Sequence, residues 1–204
     1  MKHSAIILIA ATCCLIAGCG KSQRFTAEGT LKDAGFKEKA DSIILSSEFL
    51  QRPITVGVND GAFFIKGKAT QPGVATLTTY GYGRKNSRLL ILEKGKITFQ
   101  NGLAAGTPLN DEAAAFMQGV GEIRKSFVGS NMTVEQRKKA LEDYISGFVA
   151  RHKDDPCAAL AIMGAYRRME PSFILSLIET CSPEIQNVGE IHVMKGRIKK
   201  ELAK

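Results

Sequence analysis

The chain has 204 residues, with 28 Lys and Arg against 20 Asp and Glu, a formal net charge of +8 and 44% hydrophobic residues. Such a composition excludes a disordered or fibrous chain, and the length allows one sizeable domain or two small ones. Basic and aromatic residues do not recur together in a compact cluster, so a nucleic-acid partner is not expected.

At the N-terminus, Lys2 and His3 precede a run from Ala5 to Ala17 that is apolar or small except at Thr12. This length suits the apolar region of a secretory signal and falls short of the roughly 18 residues that cross a bilayer. The run closes as Leu15-Ile16-Ala17-Gly18-Cys19, which resembles a bacterial lipobox. The resemblance implies that residues 1–18 are a signal peptide and that Cys19 is the lipid attachment site. Residues 19–24 then form a polar tether. Each buried methylene of an acyl chain contributes about 0.8 kcal/mol, and two lipid signals already give stable anchoring. No Asp follows Cys19 and no acidic cluster lies nearby, so the expected address is the periplasmic face of the outer membrane.

Processing at that point would remove Cys13 and Cys14 and acylate Cys19, leaving Cys157 and Cys181 as the remaining thiols. In an oxidising compartment they form either a disulfide or, given their apolar helical neighbours, two buried free thiols. The charge is uneven. Between Gly20 and Ala105 there are 13 basic and 7 acidic residues, and from Gly106 onward 14 and 13. The basic half could face anionic headgroups or polyanions, or simply carry solvated lysines on strand edges.

From residue 25 to 105 the apolar residues alternate or come in short β-rich runs. Strands are expected at 25–31, 42–46 and 54–58, then, across the Asn59-Asp60-Gly61 turn, at 62–66. Another is expected at 74–80, and a hairpin joins 89–92 to 96–99 across Glu93-Lys94-Gly95. About seven short strands at this spacing predict an antiparallel β-sandwich or barrel-like module. From Gly106 to residue 204 the period becomes 3.6, and the fold class is α+β with a helical segment packed on the β-rich part.

Thr107-Pro108 opens the first helix, with Leu109, Ala113, Phe116, Met117 and Val120 on one face. Thr133 and Gln136 form a capping box for a second, whose apolar stripe runs through Val134, Leu141, Tyr144, Ile145, Phe148 and Val149. Asp154-Asp155-Pro156 begins a third and Pro171 a fourth. Ile191, Met194, Ile198 and Leu202 line the last.

The lipobox, the strand-turn-strand pattern around Asn59-Asp60-Gly61-Ala62-Phe63 and the junction Gly106-Thr107-Pro108-Leu109-Asn110-Asp111 followed by Phe116 occur in that order. Together they resemble the domain of unknown function 4369, found N-terminal to thioredoxin-like domains in Bacteroidetes lipoproteins. The resemblance covers most of residues 25–183 and implies the β-rich module, the helical segment and an envelope location. The redox domain would begin where this chain reaches Lys204, and the chain has no Cys-x-x-Cys, so thiol-disulfide exchange is not carried over.

His152 with Asp154 and Asp155 reads as a solvated helix end rather than a metal site, because His192 is far along the chain. The stretch Tyr80-Gly81-Tyr82-Gly83-Arg84-Lys85 lacks a phosphate-loop pattern. With Arg88 it nevertheless groups two tyrosines and three basic residues, making Tyr80, Tyr82, Arg84, Lys85 and Arg88 the first candidates for a ligand contact. No Gly-x-Ser-x-Gly is present, and no catalytic residue, metal or cofactor is expected. The expected function is a non-catalytic, membrane-anchored lipoprotein with a binding or scaffolding role toward an envelope protein partner, accessory to a thioredoxin-like redox system. The alternatives are a thiol-redox protein using Cys157 and Cys181, or a ligand- or glycan-binding lipoprotein of an uptake system.

Overall fold

The computed structural model describes residues 22–37, 39–81 and 84–204, with residues 80, 81, 84 and 85 described by backbone alone. The expected signal peptide at residues 1–18, the expected lipid attachment site Cys19 and residues 20 and 21 of the expected tether lie outside the described residues.

Among the described residues, eight strands form two open four-stranded sheets, so the sandwich alternative holds and the barrel does not. The first sheet has the order β4-β1-β7-β8, built from β1 (Gln23–Thr30), β4 (Ala62–Ala69), β7 (Gly95–Gln100) and β8 (Leu103–Ala105). The second has the order β3-β2-β5-β6, from β2 (Ser42–Ser46), β3 (Ile54–Gly57), β5 (Gly73–Gly81) and β6 (Arg84–Leu92). Strict alternation decides which face is buried. Phe25 and Ala27, Phe63 and Ile65, and Ile97 and Phe99 point from the first sheet toward Ile43, Leu45, Ala75, Leu77, Leu90 and Leu92 of the second. The opposite side of the second sheet is covered as well: Val74 and Ile91 join the helical core. The molecule is therefore three layers deep, sheet on sheet on helices.

The helices are α1 (Pro108–Ser126), α2 (Val134–Arg151), α3 (Pro156–Ala165), α4 (Pro171–Thr180), α5 (Pro183–Gln186) and α6 (Gly189–Leu202). The capping box forms as the sequence predicts: Gln136 N–H donates to the Thr133 hydroxyl, and Thr133 N–H donates to the Gln136 side chain. Phe116 stacks between Tyr144 and Phe148, with ring centroids 5.6 and 4.2 Å away, locking α1 onto α2.

Several expectations are corrected. The tether is shorter than residues 19–24, because Gln23 and Arg24 already pair within β1. Residues 89–92 and 96–99 are not a hairpin: β6 pairs with β5 along its length, whereas β7 pairs with β1 and β8 in the other sheet. The link turns because Glu93 is held inward and Gly95 adopts φ +133°, a backbone state open to glycine. The β1–β7 pair is parallel, unlike every other strand pair. The Asn59-Asp60-Gly61 turn closes locally, with Asn59 and Ala62 exchanging bonds of 2.9 and 2.8 Å, but it carries the chain from the second sheet to the first. β8 is an element that the strand reading missed. Its signal is Asn101-Gly102, both at positive φ, a dipeptide suited to a two-residue hairpin. Val134 and Leu202, assigned to core-facing stripes, are exposed because each stands in a terminal turn that overhangs the core.

Candidate functional site

The seam between the second sheet and the helices is organised from the strand–helix junction upward. Asn110, in the first turn of α1, spans Ile91 with both ends of its amide: Ile91 N–H donates to Oδ1 at 2.9 Å, and Nδ2 donates to the Ile91 carbonyl at 2.8 Å. β6 is the outer strand of its sheet, so this side chain supplies the ladder partner that no strand provides. The buried Glu93 carboxylate accepts from Leu109 N–H at 2.8 Å and Asn110 N–H at 3.1 Å, capping α1 in place of its N-cap Thr107. Asp111 accepts from Gly106 N–H. The junction that carries the family resemblance is thus a structural fastening.

Beyond that fastening the helices diverge from the sheet and leave a cleft of about 930 Å³. Its floor is read directly from the strand register. Ser46, Thr76 and Leu89 lie side by side across β2, β5 and β6, and the next row holds Thr78 opposite Ser87, their hydroxyls 3.2 Å apart. The wall is formed by Met163, Tyr166 and Arg167 at the end of α3, and by Glu190, Val193 and Arg197 of α6. Glu48 fixes that wall, accepting Gly189 N–H at the start of α6 at 2.9 and 3.2 Å. Arg167 and Arg197 are exposed and have no hydrogen-bond or ion-pair partner among the described residues. Four hydroxyls below and two uncommitted guanidiniums above suit a hydroxylated ligand bearing an anionic group.

The candidates chosen from sequence fall partly elsewhere. Tyr82 lies outside the described residues. Tyr80 pairs with Lys85 and Gly81 with Arg84, so Arg84 and Lys85 are strand residues rather than loop residues. Arg88 is committed within the fold. Its Nε donates to the Ala34 carbonyl at 3.1 Å, its Nη2 to the Gly35 carbonyl, and its guanidinium covers the Phe36 ring at 5.1 Å. It ties β6 to the β1–β2 connection, on the other side of the strand from its neighbours Ser87 and Leu89. Of the residues singled out from sequence, Arg88 is committed within the fold, and Tyr80, Arg84 and Lys85 are placed by their backbone in the β5–β6 hairpin. Alternating Thr76 and Thr78 in β5 was the available signal for a polar sheet face that helices nevertheless cover.

No family model, curated protein or solved structure matches the chain. Assignment of chemistry therefore rests on the geometry, and the family resemblance rests on the order of its residues.

Cys157 and Cys181 are both free and buried, so the disulfide alternative is not realised. The Cys157 thiol donates to the Leu109 carbonyl at 3.4 Å and that of Cys181 to the Leu177 carbonyl at 3.4 Å. Burial first, and the nearby Asp155 carboxylate second, push the Cys157 thiol well above its ordinary range. Burial first, then the Asp154 charge, push Cys181 up to about 11. Neither thiol has the lowered pKa of a redox nucleophile. His152, Asp155 and Cys157 place one donor atom each within 4.8 Å of one another, a set that could hold a metal ion. Those atoms are engaged here: His152 Nδ1 bonds Asp155 at 2.9 Å, and Asp155 caps α3 through Cys157 N–H at 2.8 Å. Asp154, grouped with them from sequence, is not part of the set.

Proposed function

We propose that the protein is an envelope lipoprotein, anchored through Cys19, that binds a small hydroxylated anionic ligand in the cleft between its second sheet and α3 and α6. The observation that carries this reading is the pairing of a Ser/Thr floor with Arg167 and Arg197, two cations without partners among the described residues. A volume of about 930 Å³ suits a ligand of a few rings, since pockets for small molecules span roughly 300–1,000 Å³. The reading is non-catalytic. The buried polar groups Glu93, Thr107 and Asn110 are consumed by the junction, and both thiols are buried. Of the functions expected from sequence, ligand or glycan capture gains support, and a Cys157–Cys181 redox couple loses it. The order of lipobox, β-rich module and helical segment supports an envelope partner, including a thioredoxin-like system on another chain.

Calorimetric titration with glucuronate and with glucose 6-phosphate tests the cleft. Binding of either probe, weakened at least tenfold by Arg167→Ala or Arg197→Ala and unchanged by Arg124→Ala, is the expected result. Binding that is indifferent to both cleft arginines refutes the assignment.

A further inference from the structure

β1 begins at Gln23, four residues after Cys19. At about 3.3–3.6 Å per residue, even a fully extended chain keeps Gln23 within about 14 Å of the anchored residue. β1 is an interior strand of the first sheet, with β4 on one side and β7 on the other. On the face turned away from the sandwich core, the register sets Arg24 opposite Lys68 and Thr26 opposite both Lys66 and Lys96. All four cations are exposed. Lys96 pairs with Glu28 at 2.7 Å, but Arg24, Lys66 and Lys68 have no acidic partner among the described residues. Arg24, Lys66 and Lys68 border a shallow hollow that also includes Gly67 and Gly95, at the end of β1 that leads to the anchor. Further along the same face stands Phe64, 54% exposed. The helices pack on β5 and β6 of the second sheet and on β8, the edge strand of the first sheet away from β4, and the outward residues of β1 and β4 named above are exposed or half-buried.

We propose that the anchor-proximal end of this sheet face docks on anionic phospholipid headgroups of the membrane that holds Cys19. The inference rests on Cys19 being acylated. The negative potential of a membrane surface decays within a Debye length of about 8–10 Å, so only cations held close to it are attracted. The short link imposes that closeness, and Arg24 on the tethered strand with Lys66 and Lys68 on β4 beside it supply uncompensated charge. The protein then lies with its first sheet toward the bilayer. The helices and the cleft, two layers away, are directed into the aqueous phase.

Lysine footprinting of the acylated protein in vesicles tests the docking. Vesicles of phosphatidylcholine alone are compared with vesicles containing phosphatidylglycerol, using a water-soluble amine-reactive ester and mass spectrometry of the peptides. Lys66, Lys68 and Lys96 are expected to be protected several-fold in the anionic vesicles only, with protection lost in high salt. Lys139 of α2 and Lys199 of α6 are expected to react equally in both. Equal reaction of the sheet lysines in the two vesicles, with acyl chains found on the Cys19 peptide, overturns the docking and leaves the anchor standing. A Cys19 peptide without acyl chains overturns both.

Discussion

Asn110 is 1% exposed and its amide stands in for a missing strand, so its loss cannot be repaired by water. Asn110→Ala leaves the N–H and carbonyl of Ile91 unpaired inside the seam. At about 1–3 kcal/mol for each unsatisfied buried group, the expected loss is about 2–6 kcal/mol, read as a lower urea midpoint with little change in slope. Cys181 acts through its proton. Its folded pKa of about 11 lies above the ordinary value of 9.0, so folding favours the neutral thiol. The resulting stability is complete below pH 9 and is lost as pH rises from 9 toward 11. Cys181→Ala should make thermal stability fall less steeply across that window. In the native protein at pH 8, both thiols should resist alkylation until denaturant is added. The thiols themselves were visible in the sequence. Their free, protonated state was not, because it depends on how deeply the folded chain buries each sulfur and on which carboxylate it sets nearby.

Among elements, local signals were legible wherever the chain satisfies itself over a few residues. The Thr133–Gln136 box is such a case, and Thr133→Ala should cost about 1 kcal/mol by denaturant titration. Gly106 is another kind of local requirement, with a non-local cause. Its φ is +88°, and an added Cβ would stand 2.8 Å from the Lys96 carbonyl oxygen. Gly106→Ala should therefore cost about 1–3 kcal/mol in the same titration, more than the exposed cap. The placing of β6 and β7 in different sheets could not be read from their apolar patterns. Each pattern states which residues alternate, not which strand lies alongside. That choice is made at Glu93, whose carboxylate is drawn to the N-terminus of α1 and turns the chain away from a hairpin.

The whole molecule behaves as one three-layer unit, although its two halves differ in period at residue 106. Val74, Leu89 and Ile91 of the second sheet pack into the helical core. A chain cut after Ala105 would expose that face, and it should aggregate or show no cooperative thermal transition. Arg167→Ala and Arg197→Ala should leave stability within about 0.5 kcal/mol, since neither side chain has a partner to lose. By itself the sequence determined the change of period, the helix starts and most strand positions, because these follow from spacing and from groups that neighbours along the chain satisfy. The tertiary structure alone decided the cleft, the inward commitment of Arg88 and the basic face at the start of β1. Each of these joins residues far apart in the chain, and alternation says nothing about what covers a face.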